Sequence, residues 1–152
     1  MKIVNGFTVS APPDEVFAFL LDVNKVVRCV PGAELTEAVD SSTFQGKLTV
    51  KAGAVTIRYQ GTAEIVDTQE SEDRAVVTVK AKGRETAGSG QVFATVIMTV
   101  AAAGGATDVT IDTDVNIAGK LAQFGRGTVE DMAKKMIGDM AHCIQDRIGQ
   151  GG

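Results

Sequence analysis

Through the middle of this chain apolar and polar residues alternate one by one, and on either side the apolar spacing changes to three and four. Residues 43–52 set Phe44, Gly46, Leu48, Val50 and Ala52 against Gln45, Lys47, Thr49 and Lys51. The same alternation places Val55, Ile57, Tyr59, Gly61, Ala63 and Ile65 on one face of residues 54–67, and Ala75, Val77, Val79 and Ala81 on one face of residues 74–83. In residues 107–117 it selects Val109, Ile111, Thr113, Val115 and Ile117. A period of two marks a sheet with one dry face and one wet face. Residues 90–103 are apolar on both sides; we place Ala94, Val96, Met98 and Val100 inside, which turns Phe93 and Ile97 outward. Residues 2–9, with Ile3, Phe7 and Val9 on one side, predict a first strand, and Leu35 to Val39 a short one.

Two helical regions flank these strands. Ser10-Ala11-Pro12-Pro13-Asp14-Glu15 is a helix start, with proline in the first turn and acids near the positive end of the helix dipole. Asp22 opens a second short helix, Val23 to Cys29, stopped by Pro31-Gly32. At the far end Leu121, Phe124, Val129, Met132, Met136, Met140, Ile144 and Ile148 recur at helical spacing and predict one long helix. The order is strand, two short helices, six strands, long helix. An antiparallel meander curled around the last helix is the simplest way to bury these faces. The fold class is therefore α+β, a curved antiparallel sheet of six to seven strands around a long C-terminal helix.

The inner faces carry small residues: Gly46, Ala52, Gly61, Ala63, Ala75, Ala81 and Ala94. A sheet and helix that face each other need large side chains to reach interior density. Small ones there suggest an open gap, so the chain reads as a container. The predicted lining is Leu48, Ile57, Tyr59, Ala63, Val77, Val79, Met98, Phe124, Met132 and Met136. Methionines adapt to a flexible apolar chain. The alternative is plain core, with small residues where the sheet nears the helix. The mouth falls to Val27, Val30, Pro31, Leu121, Gly125 and Arg126. Each glycine of Gly125-Arg126-Gly127 costs a helix about 1 kcal/mol relative to alanine. Close backbone approach, a flexible gate or a simple kink each account for them, and Arg126 then meets a polar headgroup, an anionic surface or only water. The apolar cluster from Val26 to Gly32 either packs on the long helix or docks on a membrane or partner.

Composition narrows the function. The chain has 152 residues, 44% of them hydrophobic, and reads as one soluble domain over residues 1–148, with 149–152 a flexible tail or an expression edge. A net charge of -4, no tryptophan and one tyrosine argue against nucleic acid. Cys29 and Cys143 lie apart, without a ligand-like neighbour, and suit a reducing cytosol, although a bond between them stays open. Met1 to Asn5 shows no long apolar stretch of a signal peptide, and no window approaches a membrane span. The expected location is cytoplasmic, with the inner face of the cell membrane as a contact surface.

Signals of catalysis are poor. His142 is the single histidine, and Cys143 beside it diverges from it on a helix. Asp112-x-Asp114 lacks the glycine and distal glutamate of a calcium loop, and Gly83-x4-Gly88-x-Gly90 lacks the lysine of a phosphate loop. No catalytic residue and no metal ligand is assigned, and Tyr59 is almost the only ionisable group expected inside. Outward, Lys47, Lys51, Arg58, Lys80 and Lys82 form a basic stripe and Asp108, Asp112 and Asp114 an acidic one. These are solvated faces or steering surfaces for lipid or protein.

The element order resembles the helix-grip fold of START and birch-pollen-allergen-like proteins, the SRPBCC superfamily. Arg28-Cys29-Val30-Pro31-Gly32-Ala33-Glu34-Leu35, Thr107-Asp108-Val109-Thr110-Ile111-Asp112 and Gly119-Lys120-Leu121-Ala122-Gln123-Phe124-Gly125 are similar to the CoxG family of carbon monoxide dehydrogenase subunits. The resemblance covers residues 2 to about 148. It implies a non-catalytic accessory protein of a molybdenum-containing carbon monoxide dehydrogenase, binding an apolar small molecule or lipid. A menaquinone-like isoprenoid quinone is the implied cargo, as a ligand and not a required cofactor. It also tips the choice between core and pocket toward the pocket. Two rivals remain: an assembly or membrane-recruitment factor without transport, and a helix-grip cyclase or hydratase.

Overall fold

The structure, a computed structural model, describes residues 1–149. Seven strands form one antiparallel sheet: β1 (Lys2–Val9), β2 (Ala33–Ala38), β3 (Thr43–Ala52), β4 (Val55–Glu70), β5 (Arg74–Glu85), β6 (Gln91–Ala103) and β7 (Ala106–Ala118). Their order is β1-β7-β6-β5-β4-β3-β2, so β2 to β7 follow one another as hairpins and β1 returns to pair with β7. Between β1 and β2 lie α1 (Pro13–Leu21), α2 (Val23–Val26) and a 3-10 turn (Val27–Cys29). The chain closes with a second 3-10 turn (Lys120–Phe124) and the long helix α3 (Arg126–Gly149). This is the helix-grip architecture that the alternation and the element order predict.

Local chemistry sets the boundaries. Pro13 and two acids open α1, and Asp22 accepts the Asn24 and Lys25 backbone N–H groups to cap α2. The long helix starts later than its apolar spacing suggests. Gly125 has φ +86°, a left-handed conformation that ends the 3-10 turn, so Leu121 and Phe124 precede α3. Nothing stands within 4 Å of a Cβ built at Gly125 or Gly127. Close backbone approach therefore does not explain that pair. Gly149 belongs to α3 and is not part of a tail, and the expected tail at 150–152 lies outside the described residues.

The core divides into two clusters along α3. One joins α1 (Val16, Phe17, Phe19, Leu20) to Ala75, Val77, Val100, Val109 and Ile111 of the sheet and to Met140, Ile144 and Ile148 of the helix. The other contains Ile3, Val50, Ile57, Tyr59, Val115, Leu121 and Val129. On β6 Val100 is fully buried while Phe93 and Ile97 are exposed, the facing that the alternation of its neighbours suggests.

Cys29 and Cys143 form a disulfide, with Cα atoms 5.3 Å apart. The bond that the sequence leaves open is formed: 114 residues separate the two cysteines, and only the docking of the first 3-10 turn on α3 brings them together. The bond removes the argument that unpaired thiols made for a reducing compartment. It closes a long loop in the unfolded chain, which places its contribution at about 2–5 kcal/mol. Reductant, or a Cys143→Ser substitution, should lower the thermal unfolding midpoint accordingly; an unchanged midpoint would show that the bond carries no stability.

Candidate functional site

A cavity of about 510 Å³ lies between the concave face of the sheet and the N-terminal half of α3. Its floor is a band of residues without bulk. Gly46 stands opposite Gly61, and Gly61 opposite Gly83, so three neighbouring strands lack side chains at one level. Ala63 and Ala81, also paired, continue the band. The strands approach closely here. A Cβ on Gly46 would come within 2.6 Å of the Glu34 carbonyl oxygen, and one on Gly61 would collide with the Lys82 carbonyl. The roof is Val129, Met132, Ala133 and Met136 of α3. Val23 and Val27 border the cavity from α2 and the turn after it.

Of the expected lining, Leu48, Tyr59, Ala63, Met132 and Met136 surround this cavity. Ile57 and Phe124 belong to the cluster beside it and do not line it. Val77 is corrected to the closed core, where it has no exposure, and Val79 and Met98 pack against that same core. All three sit on the predicted face, but toward the end of the sheet that α1 covers. Of the expected mouth, Val27 and Leu121 reach the cavity. Val30 packs against the closed core, Pro31 and Gly125 are exposed and Arg126 pairs with Glu130 at 2.7 Å, so these four do not line it.

Several lining residues fall outside the predicted set. Phe44, Val92, Val96, Val115 and Ile117 lie on faces that the alternation marks as inner, and Ala133 neighbours Met132 on α3. Glu85 is a different omission. It is only 6% exposed and stands opposite Tyr59 in the β4–β5 register, so the inner face has an ionisable group besides the tyrosine. The sequence does carry a signal for it: parity from Ala81 through Gly83 puts residue 85 inside, but its position before the Gly88 and Gly90 turn suggests a loop.

Tyr59 is the tyrosine of the lining, with its hydroxyl oxygen covered. Burial, and then the negative charge of Glu85, push its phenol above the ordinary value of 10.0, so the hydroxyl keeps its proton at neutral pH. Thr62 and Thr113 add two further hydroxyl-bearing residues to the lining, and Glu34, Lys47 and Lys82 also border it. Among the described residues no group of three or more His, Cys, Asp or Glu side chains could hold a metal ion. His142 is exposed on α3. No described helix is long and apolar enough to cross a membrane.

The outer face carries a smaller groove of about 460 Å³ over the same glycine level, lined by Gln45, Gln60, Thr62, Lys82, Arg84, Gln91 and Phe93. The basic and acidic stripes both face outward as expected, and Phe93 and Ile97 are 50% and 39% exposed between them.

Comparison with known proteins bears on both fold and family. A conserved protein from Geobacillus kaustophilus superimposes with a TM-score of 0.81 at 22% identity, over 99% of this chain and 96% of its own. A STAR-related lipid transfer protein fragment from Xanthomonas axonopodis gives 0.68 at 16% identity, over 93% and 84% of the two chains. The Zhui aromatase/cyclase from Streptomyces sp. R1128 gives 0.65 at 14%, over 97% and 92%. At these identities the likeness establishes the fold, which carriers and enzymes share. No curated protein shows a significant match in sequence. Residues 6–149, however, match the sequence profile of CoxG, a family of carbon monoxide dehydrogenase subunits, and the chain accordingly belongs to that family.

Proposed function

We propose that this protein binds an apolar ligand between its sheet and α3, and that the ligand is an isoprenoid quinone of the menaquinone type presented to a carbon monoxide dehydrogenase-type molybdenum enzyme. The observation that carries the proposal is the 510 Å³ cavity walled mainly by apolar side chains, two methionines among them. Its size lies in the range of small-molecule sites. Each methylene transferred from water to such a wall contributes about 0.8 kcal/mol, so a branched hydrocarbon chain binds without any polar contact. Family membership supports the choice of partner, and the lipid transfer protein's shared fold supports the choice of ligand class.

The role is non-catalytic: the ligand is held and released unchanged. Membrane contact belongs to the same proposal, since a quinone must be taken from a bilayer. The expected cytoplasmic face of the membrane is the side on which the dehydrogenase would meet it.

The second reading, recruitment of the dehydrogenase without transport, draws on the outer face. There Phe93 and Ile97 lie exposed between a basic and an acidic stripe, an arrangement suited to a protein partner. It requires no ligand in the cavity, and that separates the two.

Mass spectrometry of the solvent extract of purified protein should find a quinone, and added short-chain menaquinone should bind. A protein that is empty and binds none would remove the carrier proposal and leave recruitment. Filling the cavity provides an independent check. Ala133→Phe puts a ring into open space, so it should weaken quinone binding at least tenfold while changing stability by no more than about 1 kcal/mol. Unaltered binding in that variant would place the ligand elsewhere.

A further inference from the structure

Among the described residues, two buried side-chain polar atoms have no hydrogen-bond partner: the Tyr59 hydroxyl oxygen and Glu85 Oε1. Buried polar atoms are almost always paired, and an orphan is destabilising, so two of them together call for a cause. These two are neighbours. Tyr59 and Glu85 stand directly opposite each other on β4 and β5, and residues so paired send their side chains to the same side of the sheet. Gly83, the next inner position on β5, lies against Tyr59: a Cβ there would make ordinary contact with the Tyr59 Cβ at 3.5 Å.

The Glu85 carboxylate is held firmly on one side only. Its Oε2 accepts the Gly90 backbone N–H, and a Cβ on Gly119 would stand 2.8 Å from that oxygen. Three glycines, Gly88, Gly90 and Gly119, thus surround the carboxylate where side chains would crowd it out. Stapling the β5–β6 turn needs only Oε2. It gives no reason for a charged group in place of an amide, nor for Oε1 to be left unpaired on the residue opposite a tyrosine whose own hydroxyl is unpaired. Glu85 itself does not line the cavity; Tyr59 does, with its hydroxyl oxygen covered.

We infer that Tyr59 and Glu85 form a head-group subsite for a ligand whose terminal oxygen is either a carbonyl or a hydroxyl. This rests on the cavity being a ligand site. A hydroxyl both donates and accepts. Facing a carbonyl, the Tyr59 O–H donates to the ligand once a rotation of the side chain uncovers it. Facing a hydroxyl, the Tyr59 oxygen accepts from the ligand and, after the two side chains rotate toward each other, gives its own hydrogen to Glu85 Oε1, a bond the two do not make as they stand. Glu85 is the positioning residue, acting through Tyr59. The pair accommodates the oxidised and the reduced form of a quinone without moving the backbone, and no bond is made or broken.

The test uses three probes on the intact protein: a short-chain naphthoquinone, its quinol under anaerobic conditions, and the naphthalene with the same chain but no oxygen. Binding is measured by calorimetry for the native protein, Tyr59→Phe and Glu85→Gln. The native protein should hold both oxygenated probes about tenfold tighter than the hydrocarbon, a difference of one hydrogen bond, and Tyr59→Phe should erase that difference. Glu85→Gln should weaken the quinol several-fold and leave the quinone within about twofold. Tyr59 is the only tyrosine and there is no tryptophan, so an absorbance titration reports this phenol alone. Its ionisation midpoint should fall in Glu85→Gln. Equal affinity for quinone and hydrocarbon, or an indifferent Tyr59→Phe, would overturn the subsite while the cavity keeps its role. An unmoved midpoint would remove Glu85 from it. Failure of the native protein to bind any of the three would end both proposals.

Discussion

A curved sheet can close on a single helix only if something fills the wedge between them, and here α1 fills half of it. Phe17, Phe19 and Leu20 occupy one end of the concavity and pack against the C-terminal turns of α3 through Met140, Ile144 and Ile148. Burying side chains of that size contributes about 1.5–3 kcal/mol each, a scale comparable with a substantial share of a domain's net stability. Once that end is closed, the other half of the wedge needs no filler. The sheet and the N-terminal turns of α3 are held apart by the packed end, much as a closed hinge sets the gap at the free edge.

The same division explains how far the sequence could be read. Alternation identifies which face of a strand is dry, and it places every strand and the inner face of β6 correctly. It carries no information on where along the strand another element will sit. Val77 and Ala63 look alike in the pattern, yet one ends under α1 and the other on the cavity floor. The start of α3 escapes for a related reason: the apolar spacing runs through Leu121 and Phe124, but the backbone at Gly125 turns left-handed and breaks the helix. Glu85 is hidden because a charge near a glycine-rich turn looks like surface. The Cys29–Cys143 pairing depends wholly on tertiary contact, and nothing in the residues around either cysteine announces it.

Electrostatics divides the protein differently. On the sheet, the basic and acidic stripes lie on the convex face, where they flank Phe93 and Ile97. The concave face holds one tyrosine kept neutral by burial and the adjacent carboxylate. Recognition at the two faces therefore follows different rules. Contacts on the convex side weaken with salt, while those inside are governed by desolvation and a few directed hydrogen bonds.

The glycine level across β3, β4 and β5 has an evolutionary consequence. At Gly46 and Gly61 even a methyl group meets a neighbouring carbonyl, so the sheet cannot remodel the cavity there by substitution without first changing its own curvature. The helix is under no such restriction: Met132, Ala133 and Met136 face open space. Divergence toward new ligands is thus channelled into a few turns of α3. The floor is inherited nearly fixed, and one helix face carries the variation that sets which molecule fits.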